Sequence, residues 1–167
     1  MLAAKLLVRS GRRSALVADA GVHLRAVELV PQRDEQADRG RREGDRLCFA
    51  VIEADEAGGC VLAGNVGLKN RDETGRIGER ETAEIGYWTA LAARGRGVAP
   101  AAVRAVTDWV FDAFAGASLR QIMLVHDVDN PASCRVAEKA GYPFQEFSPA
   151  NPPHWFTDGH IHMRLVG

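Results

Sequence analysis

The sequence contains few cysteines, no long hydrophobic run and no marked excess of either charge. Its three cysteines, Cys48, Cys60 and Cys134, are odd in number and lack C-x-x-C spacing, which argues against a disulfide framework or a zinc site. We therefore expect reduced thiols and a cytoplasmic protein. No run of 18 apolar residues occurs, so no membrane span is predicted. The 21 basic and 22 acidic residues give a net charge of -1, without the basic excess typical of nucleic-acid binders.

The length and hydrophobic content of the chain favour one domain. A chain of 167 residues, 46% of them hydrophobic, is long enough for a single sizeable core, so we expect one domain over residues 1–167. The hydrophobic patterns predict helices and strands at the following positions: strands 47–52 and 61–68 forming a hairpin, strand 83–89, helix 98–115, strand 121–126, helix 130–141, and a closing strand pair at 144–147 and 160–165. This order predicts one mixed α/β sheet with helices on its faces.

The N-terminal third of the chain gives weaker signals. A first strand is predicted either at residues 6–8 or at residues 22–27, where the alternation is clearer. Residues 31–45 are strongly charged and have almost no apolar stripe, which is typical of a solvated helix or a mobile loop.

The most informative segment joins a strand to a helix through a glycine-spaced turn. Glu84-Ile85-Gly86-Tyr87-Trp88-Thr89 precedes Arg94-Gly95-Arg96-Gly97-Val98-Ala99, and a long apolar-periodic run follows. Free backbone N–H groups and the positive end of the helix dipole would meet at this turn, which favours binding of an anion such as a phosphate. Gly95 and Gly97 would let the backbone approach it closely. Pro100 suits the first helical turn because its missing N–H is not needed there.

Two common phosphate-binding motifs do not fit this turn. A P-loop requires Lys-Ser or Lys-Thr after a glycine, and neither occurs here. The dinucleotide fingerprint G-x-G-x-x-G fails because Pro100 occupies the position of the third glycine. The pattern [RQ]-x-x-G-x-[GA] does fit residues 94–99. An ordinary strand-loop-helix connection remains the alternative.

Four motifs in order resemble the GNAT superfamily of acetyltransferases, and within it the ribosomal-protein N-terminal acetyltransferases. They are Glu84 to Trp88 (E-I-G-Y-W), Arg94 to Ala99, Asn130-Pro131-Ala132-Ser133, and Gly141-Tyr142. The resemblance covers residues 47–167, whereas residues 1–46 match the family poorly. It implies a single-domain α/β fold with a mixed, mostly antiparallel central sheet, flanking helices and splayed central strands. It also implies direct transfer of an acetyl group from acetyl-CoA to a primary amine in a ternary complex.

The resemblance assigns site residues by position. Those implied to bind the cofactor are Tyr87, Trp88, Thr89, Arg94, Gly95, Arg96, Gly97, Val98, Ala99, Asn130 and Ser133. Glu84 is implied as the base that deprotonates the amine, unless a water chain does so, and Ser133 as the donor of a proton to the leaving thiolate.

Each of these assignments has a structural alternative. Tyr87 and Trp88 have the pattern of core aromatics, Glu84 could be a strand carboxylate, and Ser133 could serve the helix backbone. His126 and Asp127, at the end of a predicted strand, are lesser candidates for the base.

Cysteine and metal chemistry are not favoured. Cys134 is interpreted as a helical thiol facing the core rather than a nucleophile, since the family transfers the acetyl group directly. His154, His160 and His162 suggest metal ligands, but His160 and His162 share a predicted strand face with Arg164, and no carboxylate or thiolate cluster accompanies them in sequence. We therefore expect no metal.

Two other functions remain open from the sequence. One is a non-catalytic acyl-CoA-binding module or sensor of the same fold, and the other is a nucleotide-binding domain of a different fold.

The expected partners are acetyl-CoA and an amine acceptor, either a protein N-terminus or a small molecule, and not a nucleic acid or a membrane. A homodimer is compatible with the exposed strand edges of this fold. The fold does not choose among acceptors.

Overall fold

The computed structural model describes residues 7–9, 12–14, 30–31, 46–54, 60–70, 81–153 and 155–166. The predicted strand at 22–27 and most of the charged segment at 31–45 lie outside the described residues. The other candidate for a first strand, residues 6–8, overlaps an observed strand at Leu7–Arg9.

The predicted elements from residue 46 onward are all present. The elements in chain order are β1 (Leu7–Arg9), β2 (Arg12–Ser14), β3 (Val30–Pro31), β4 (Arg46–Ala54), β5 (Cys60–Asn70), β6 (Thr82–Thr89), a 3-10 helix (Leu91–Ala93), α1 (Val98–Ala113), β7 (Gln121–Asp127), α2 (Pro131–Lys139), β8 (Phe144–Ser148) and β9 (Gly159–Leu165). Neither α1 nor α2 has the length and apolar content needed to cross a bilayer.

Seven of the described strands form one mixed sheet. Its order is β3-β4-β5-β6-β7-β9-β8, and β1 pairs with β2 in a separate sheet. All neighbours in the large sheet are antiparallel except β6 and β7, which are parallel. Parallel neighbours need a crossover connection, and α1 supplies it. The predicted hairpin β4–β5 and the closing pair β8–β9 are both confirmed.

The two parallel strands are paired along only part of their length. Their register runs from Thr82 opposite Gln121 to Ile85 opposite Leu124. Beyond Ile85, β6 continues to Thr89 and stays paired with β5, while β7 continues to Asp127 and stays paired with β9. The central strands therefore separate at Ile85, which confirms the predicted splay.

The core lies between the sheet and α1. Helix α1 buries the apolar side of its surface, including Val103, Val106 and Val110 at 0% exposure, against sheet residues such as Ile85 and Ile122. Burial of each aliphatic side chain of this size contributes about 1.5–3 kcal/mol of transfer free energy. Because α1 is fixed to the sheet, its N-terminal end is fixed beside the end of β6.

One buried polar pair ties α1 to the segment after α2. The Tyr142 side chain has 0% exposure, and its hydroxyl contacts the Thr107 hydroxyl. Thr107 donates its only hydroxyl proton to the carbonyl oxygen of Val103 at 2.8 Å, so Tyr142 is the donor to Thr107. Burial raises the pKa of Tyr142, which keeps it in this donating form.

This direction of donation predicts unequal costs for two substitutions. Tyr142→Phe removes only the donor, and Thr107 keeps its bond to Val103, so we expect a loss of about 1 kcal/mol in the free energy of unfolding. Thr107→Val leaves the buried Tyr142 hydroxyl without an acceptor and should cost more, about 1–3 kcal/mol. Urea unfolding of both variants and of the double variant measures this. A double variant no more stable than Thr107→Val would contradict the assigned direction.

Candidate active site

The turn before α1 has the backbone conformation expected of an anion site. Gly95 and Gly97 have φ values of 72° and 80°, in the left-handed region that side chains disfavour. Gly97 is the N-cap residue of α1, and neither a capping side chain nor an acidic residue occupies the first turn. The first N–H groups of the helix and its positive dipole end are therefore available to an external anion.

A groove with a volume of about 480 Å³ opens directly in front of this turn. It collects every residue implied to bind the cofactor except Arg96: Tyr87, Trp88, Thr89, Arg94, Gly95, Gly97, Val98, Ala99, Asn130 and Ser133. Residues from β6, the turn and α2 thus meet along one surface. Arg94 is held there by a hydrogen bond of 3.2 Å from its Nε to the carbonyl oxygen of Thr89.

Arg96 is placed elsewhere. Its guanidinium donates to the Glu53 carboxylate at 2.8 Å and to the carbonyl oxygen of Ala92 at 3.3 Å. This ion pair turns the side chain toward β4 and away from the groove. The Arg96 side chain therefore links the turn to the neighbouring hairpin, and a cofactor contact from Arg96 would have to come from its backbone.

The groove also contains two basic residues that the sequence reasoning missed. Arg135 and Lys139 of α2 line it together with Val136. They lie four residues apart and so share one face of the helix. That spacing was visible in the sequence, but which face of α2 would meet the groove depends on how the helix packs.

A second cavity, which we call the gap, lies where β6 and β7 separate and has a volume of about 310 Å³. Its walls include Ile85 and Gly86 on one side and Val125, His126 and Asp127 on the other. Trp155 and Thr157, from the long loop between β8 and β9, border it as well, and neither was singled out from the sequence.

The groove and the gap meet at Tyr87, Asn130 and Ser133, which line both. The hydroxyls of Tyr87 and Ser133 are 2.9 Å apart. Burial raises the pKa of Tyr87, and the hydrogen bond with Ser133 partly offsets this effect. Tyr87 is therefore a neutral phenol at neutral pH, and the junction holds two hydroxyl groups that can donate a hydrogen bond.

The predicted capping of α2 by Asn130 is confirmed. Asn130 precedes α2, and its Oδ1 accepts a hydrogen bond of 3.2 Å from the backbone N–H of Ser133. Because the donor is the backbone, the Ser133 hydroxyl takes no part in the cap. It is free to serve the junction, where Ser133 is 8% exposed.

The aromatic residues of β6 differ in environment. Tyr87 packs its ring against the hydrophobic core, whereas Trp88 is 50% exposed. The core interpretation therefore applies in part to Tyr87 and not to Trp88.

Glu84 lies on the opposite face of the sheet from Ser133. Strand alternation directs Ile85 and Tyr87 toward the helices, so Glu84 and Gly86 face the other way. The Glu84 carboxylate is 3.5 Å from the Lys69 ammonium group of β5 and lines neither the groove nor the gap. The structure thus does not bring the two predicted catalytic side chains together on one face.

The remaining candidates form a group beside the gap. His126 lines the gap, and its Nε2 is 3.4 Å from the Cys134 sulfur, which also lies 3.3 Å from His160 Nδ1. Cys134 therefore faces histidines rather than the hydrophobic core. His162 is 1% exposed, and burial lowers its pKa, which favours the neutral imidazole. His154 lies outside the described residues.

Solved acetyltransferase structures share this fold. RimJ from Mycobacterium smegmatis, solved with CoA-disulfide, is 22% identical over 73% of this chain and 54% of that one, with a TM-score of 0.57. The microcin C7 self-immunity acetyltransferase MccE, solved with acetyl-CoA and AMP, is 18% identical over 73% and 62%, with a TM-score of 0.58. A SpeG spermidine N-acetyltransferase chimera from Vibrio cholerae and hSSAT is 20% identical over 79% and 74%, with a TM-score of 0.60.

The chain spans less than two thirds of the length of RimJ and of MccE, and at these identities the likeness concerns the fold. No curated protein sequence matches the chain. Residues 18–143, which include the central strands, both helices and the turn before α1, match the acetyltransferase (GNAT) domain family. With three quarters of its length in that match, the chain belongs to the GNAT acetyltransferase family.

Proposed function

We propose that the protein is an acetyl-CoA-dependent N-acetyltransferase that acts on a primary amine by direct attack in a ternary complex. The observation that carries this proposal is the meeting of the groove and the gap at Tyr87, Asn130 and Ser133. The groove has basic side chains and a helix N-terminus that suit a pyrophosphate, and the gap adjoins it where β6 and β7 separate. A thioester at the junction would be held from one side and reached by an acceptor from the other.

The cofactor fits this surface by chemistry. The pyrophosphate would lie on the N–H groups of the turn at residues 94–99, with Arg94, Arg135 and Lys139 supplying positive charge along the groove. The pantetheine arm, which carries amides, would follow the edge of β6 at residues 86–89, where pairing with β7 has ended. Its amides would replace the missing strand partner, since an unpaired strand edge presents backbone donors and acceptors.

The junction supplies the proton needed at the end of the reaction. Attack by a neutral amine forms the N–C bond, collapse of the tetrahedral intermediate breaks the C–S bond, and the thiolate must then take up a proton. Ser133 would donate that proton. The neutral Tyr87 phenol, 2.9 Å away, would then return a proton to Ser133.

The amine must lose a proton before or during attack, and we retain Glu84 for this role. An acceptor that enters from the face of Glu84 would reach the gap beside Gly86, which has no side chain to block it. Even a Cβ at this position would meet nothing within 4 Å beyond its chain neighbours, so the approach is open. Glu84 would act directly or through water.

Two acceptor classes are compatible with this entry, a protein N-terminus and a small amine. Solved structures that share the fold include a protein proposed to be a ribosomal-protein-serine acetyltransferase and a spermidine N-acetyltransferase, both from Vibrio cholerae. We therefore propose that the acceptor is a primary amine of one of these two classes.

The second candidate is a non-catalytic acyl-CoA-binding module. The separation of Glu84 from Ser133, together with the ion pair between Glu84 and Lys69, favours it. Such a module would bind the cofactor in the groove and would not catalyse acetyl transfer. Release of CoA from acetyl-CoA with a panel of amines and short peptides separates the two functions, because a pure binding module turns over none of them.

Gly97→Asp tests the groove. A Cβ and a negative charge at the N-cap should weaken CoA binding by ~2–4 kcal/mol, or roughly 30- to 1,000-fold, because charge-assisted contacts to the pyrophosphate are lost. Isothermal titration calorimetry measures the change. Gly116→Asp is the matched control, since Gly116 also has a positive φ of 83° but lies beyond the other end of α1. Equal losses in both variants would remove the turn from the binding site.

Ser133→Ala tests proton donation. We expect kcat to fall by ~100-fold or more with little change in the Kd for CoA, because proton transfer by a positioned group contributes about that much. The helix cap uses the backbone N–H of Ser133, so the unfolding free energy should change little. Ser118→Ala, at an exposed turn, is the control. A normal rate for both Ser133→Ala and Ser133→Ala/Tyr87→Phe would exclude the junction hydroxyls as proton donors.

Glu84→Gln tests the base. The rate should fall near neutral pH and recover partly by about pH 9.5, because the free amine becomes more abundant as pH rises. Lys69→Gln is the matched variant: it removes the ion pair and keeps the carboxylate, so it should retain the wild-type pH profile. A loss of rate in Lys69→Gln equal to that in Glu84→Gln would mean that the ion pair, and not the base, matters.

A further inference from the structure

Three histidines and one cysteine place one ligand atom each around a common point. They are His126, Cys134, His160 and His162, which we call the His/Cys cluster, and their ligand atoms all lie within 4.8 Å of one another. The cluster borders the gap only through His126 and is otherwise separate from the surfaces described above.

The fold fixes these four residues through three elements. His126 on β7 lies directly opposite His160 on β9 in the antiparallel register, and His162 lies two residues further along β9 on the same face. Cys134 is delivered by α2, which packs on β7. Because strand register and helix docking set these positions, the cluster does not depend on a mobile loop.

Hydrogen bonding leaves an electrostatic conflict inside the cluster. His126 Nδ1 lies 2.8 Å from the carbonyl oxygen of Asp127, and His162 Nδ1 lies 3.1 Å from the carbonyl oxygen of Tyr142. A carbonyl oxygen only accepts, so both Nδ1 atoms carry protons and, in the neutral rings, both Nε2 atoms present lone pairs. These two Nε2 atoms are 3.3 Å apart. Two facing lone pairs at this distance repel each other unless a proton or a metal ion lies between them.

The single thiol does not resolve the conflict. The Cys134 sulfur lies 3.4 Å from His126 Nε2 and 3.3 Å from His160 Nδ1 and has one proton to give. That proton can satisfy only one nitrogen. As a thiolate, by contrast, Cys134 would be a fourth ligand of negative charge.

Three of the six separations between ligand atoms are close to those of a tetrahedral metal centre, and all six are within 4.8 Å. Zinc binds histidine nitrogen at about 2.0–2.1 Å and cysteine sulfur at about 2.3 Å, so a tetrahedron has N···N edges of about 3.3 Å and N···S edges of about 3.6 Å. The observed edges are 3.3 Å between the two Nε2 atoms and 3.4 and 3.3 Å from sulfur to nitrogen. The donation of Nδ1–H to a backbone carbonyl is also the usual arrangement behind a metal-bound histidine.

We propose that the His/Cys cluster binds one divalent transition-metal ion, with zinc as the preferred ion. Imidazole and thiolate ligands without a carboxylate select zinc and its neighbours over magnesium or calcium. Four protein ligands leave no open position, so the site is structural. The Phe144 ring, at 5.3 Å from the His160 ring and 5.8 Å from the His162 ring, shields it on one side.

The metal would clamp α2 to β7 and β9. Cys134 follows Ser133 directly, so the clamp would hold the start of α2, with its cap residue Asn130, against the junction of the groove and the gap. The ion takes no part in acetyl transfer. The sequence does not show this cluster, because no thiolate stands near His160 and His162 in the chain and α2 brings Cys134 to them only after folding.

The experiment uses the full chain without an affinity tag. Protein treated with a chelator and dialysed is titrated with Co²⁺, a spectroscopic substitute for zinc. We expect one Co²⁺ per chain, a thiolate-to-cobalt charge-transfer band, d–d bands of tetrahedral intensity, and loss of all bands on addition of Zn²⁺. Zinc should also raise the Tm of the metal-free protein. Weak octahedral d–d bands with no charge-transfer band, or no binding, would overturn the proposal.

Substitutions locate the site. Cys134→Ser should abolish the charge-transfer band, and His160→Gln should weaken Co²⁺ affinity by more than the roughly 10- to 100-fold typical of outer-shell changes. Cys48→Ser, on β4, is the matched control and should bind as the wild type does. Circular dichroism checks folding of each variant, and the wild-type spectrum decides the question even if a variant unfolds. A charge-transfer band that survives in Cys134→Ser and disappears in Cys48→Ser would overturn the assignment.

Discussion

Parallel pairing between β6 and β7 that ends at Ile85 is the constraint from which the rest of the site follows. Each strand stays paired with its other neighbour, so both remain part of the sheet on either side of the space between them. The open backbone edge and the gap result from this one interruption, and α1, docked by its buried face, begins beside them. A fully paired sheet would have closed the junction where Tyr87 and Ser133 meet.

Features that depend on the conformational preferences of consecutive residues could be predicted from the sequence. Gly95 and Gly97 adopt positive φ, Asn130 caps α2, and the hairpin β4–β5 has the expected strands, because each depends on local conformational preference. The side on which Glu84 lies also followed from strand alternation. All of these depend on neighbours within a few positions along the chain.

Features set by packing between distant segments could not be predicted. The Arg96 side chain turns to Glu53, 43 residues away, and the lining of the groove by Arg135 and Lys139 depends on the rotation of α2. The position of Glu84 relative to Ser133 required knowing on which face α2 docks. The His/Cys cluster is the clearest case, since its members come from two strands and a helix that are ordinary in sequence.

The hydrogen bond between Tyr87 and Ser133 has a consequence for how protons move. Two hydroxyls carry two hydrogens, and one hydrogen bond of 2.9 Å uses only one of them. Either oxygen can be the donor, so rotation of both groups reverses the bond and changes which hydroxyl holds the spare hydrogen. In the proposed acetyl transfer the pair would act as a two-position relay: one hydroxyl would give its hydrogen to the thiolate, and its partner would replace that hydrogen along the existing bond. Such a relay would keep a hydroxyl hydrogen available beside the departing thiol whichever of the two oxygens is the donor.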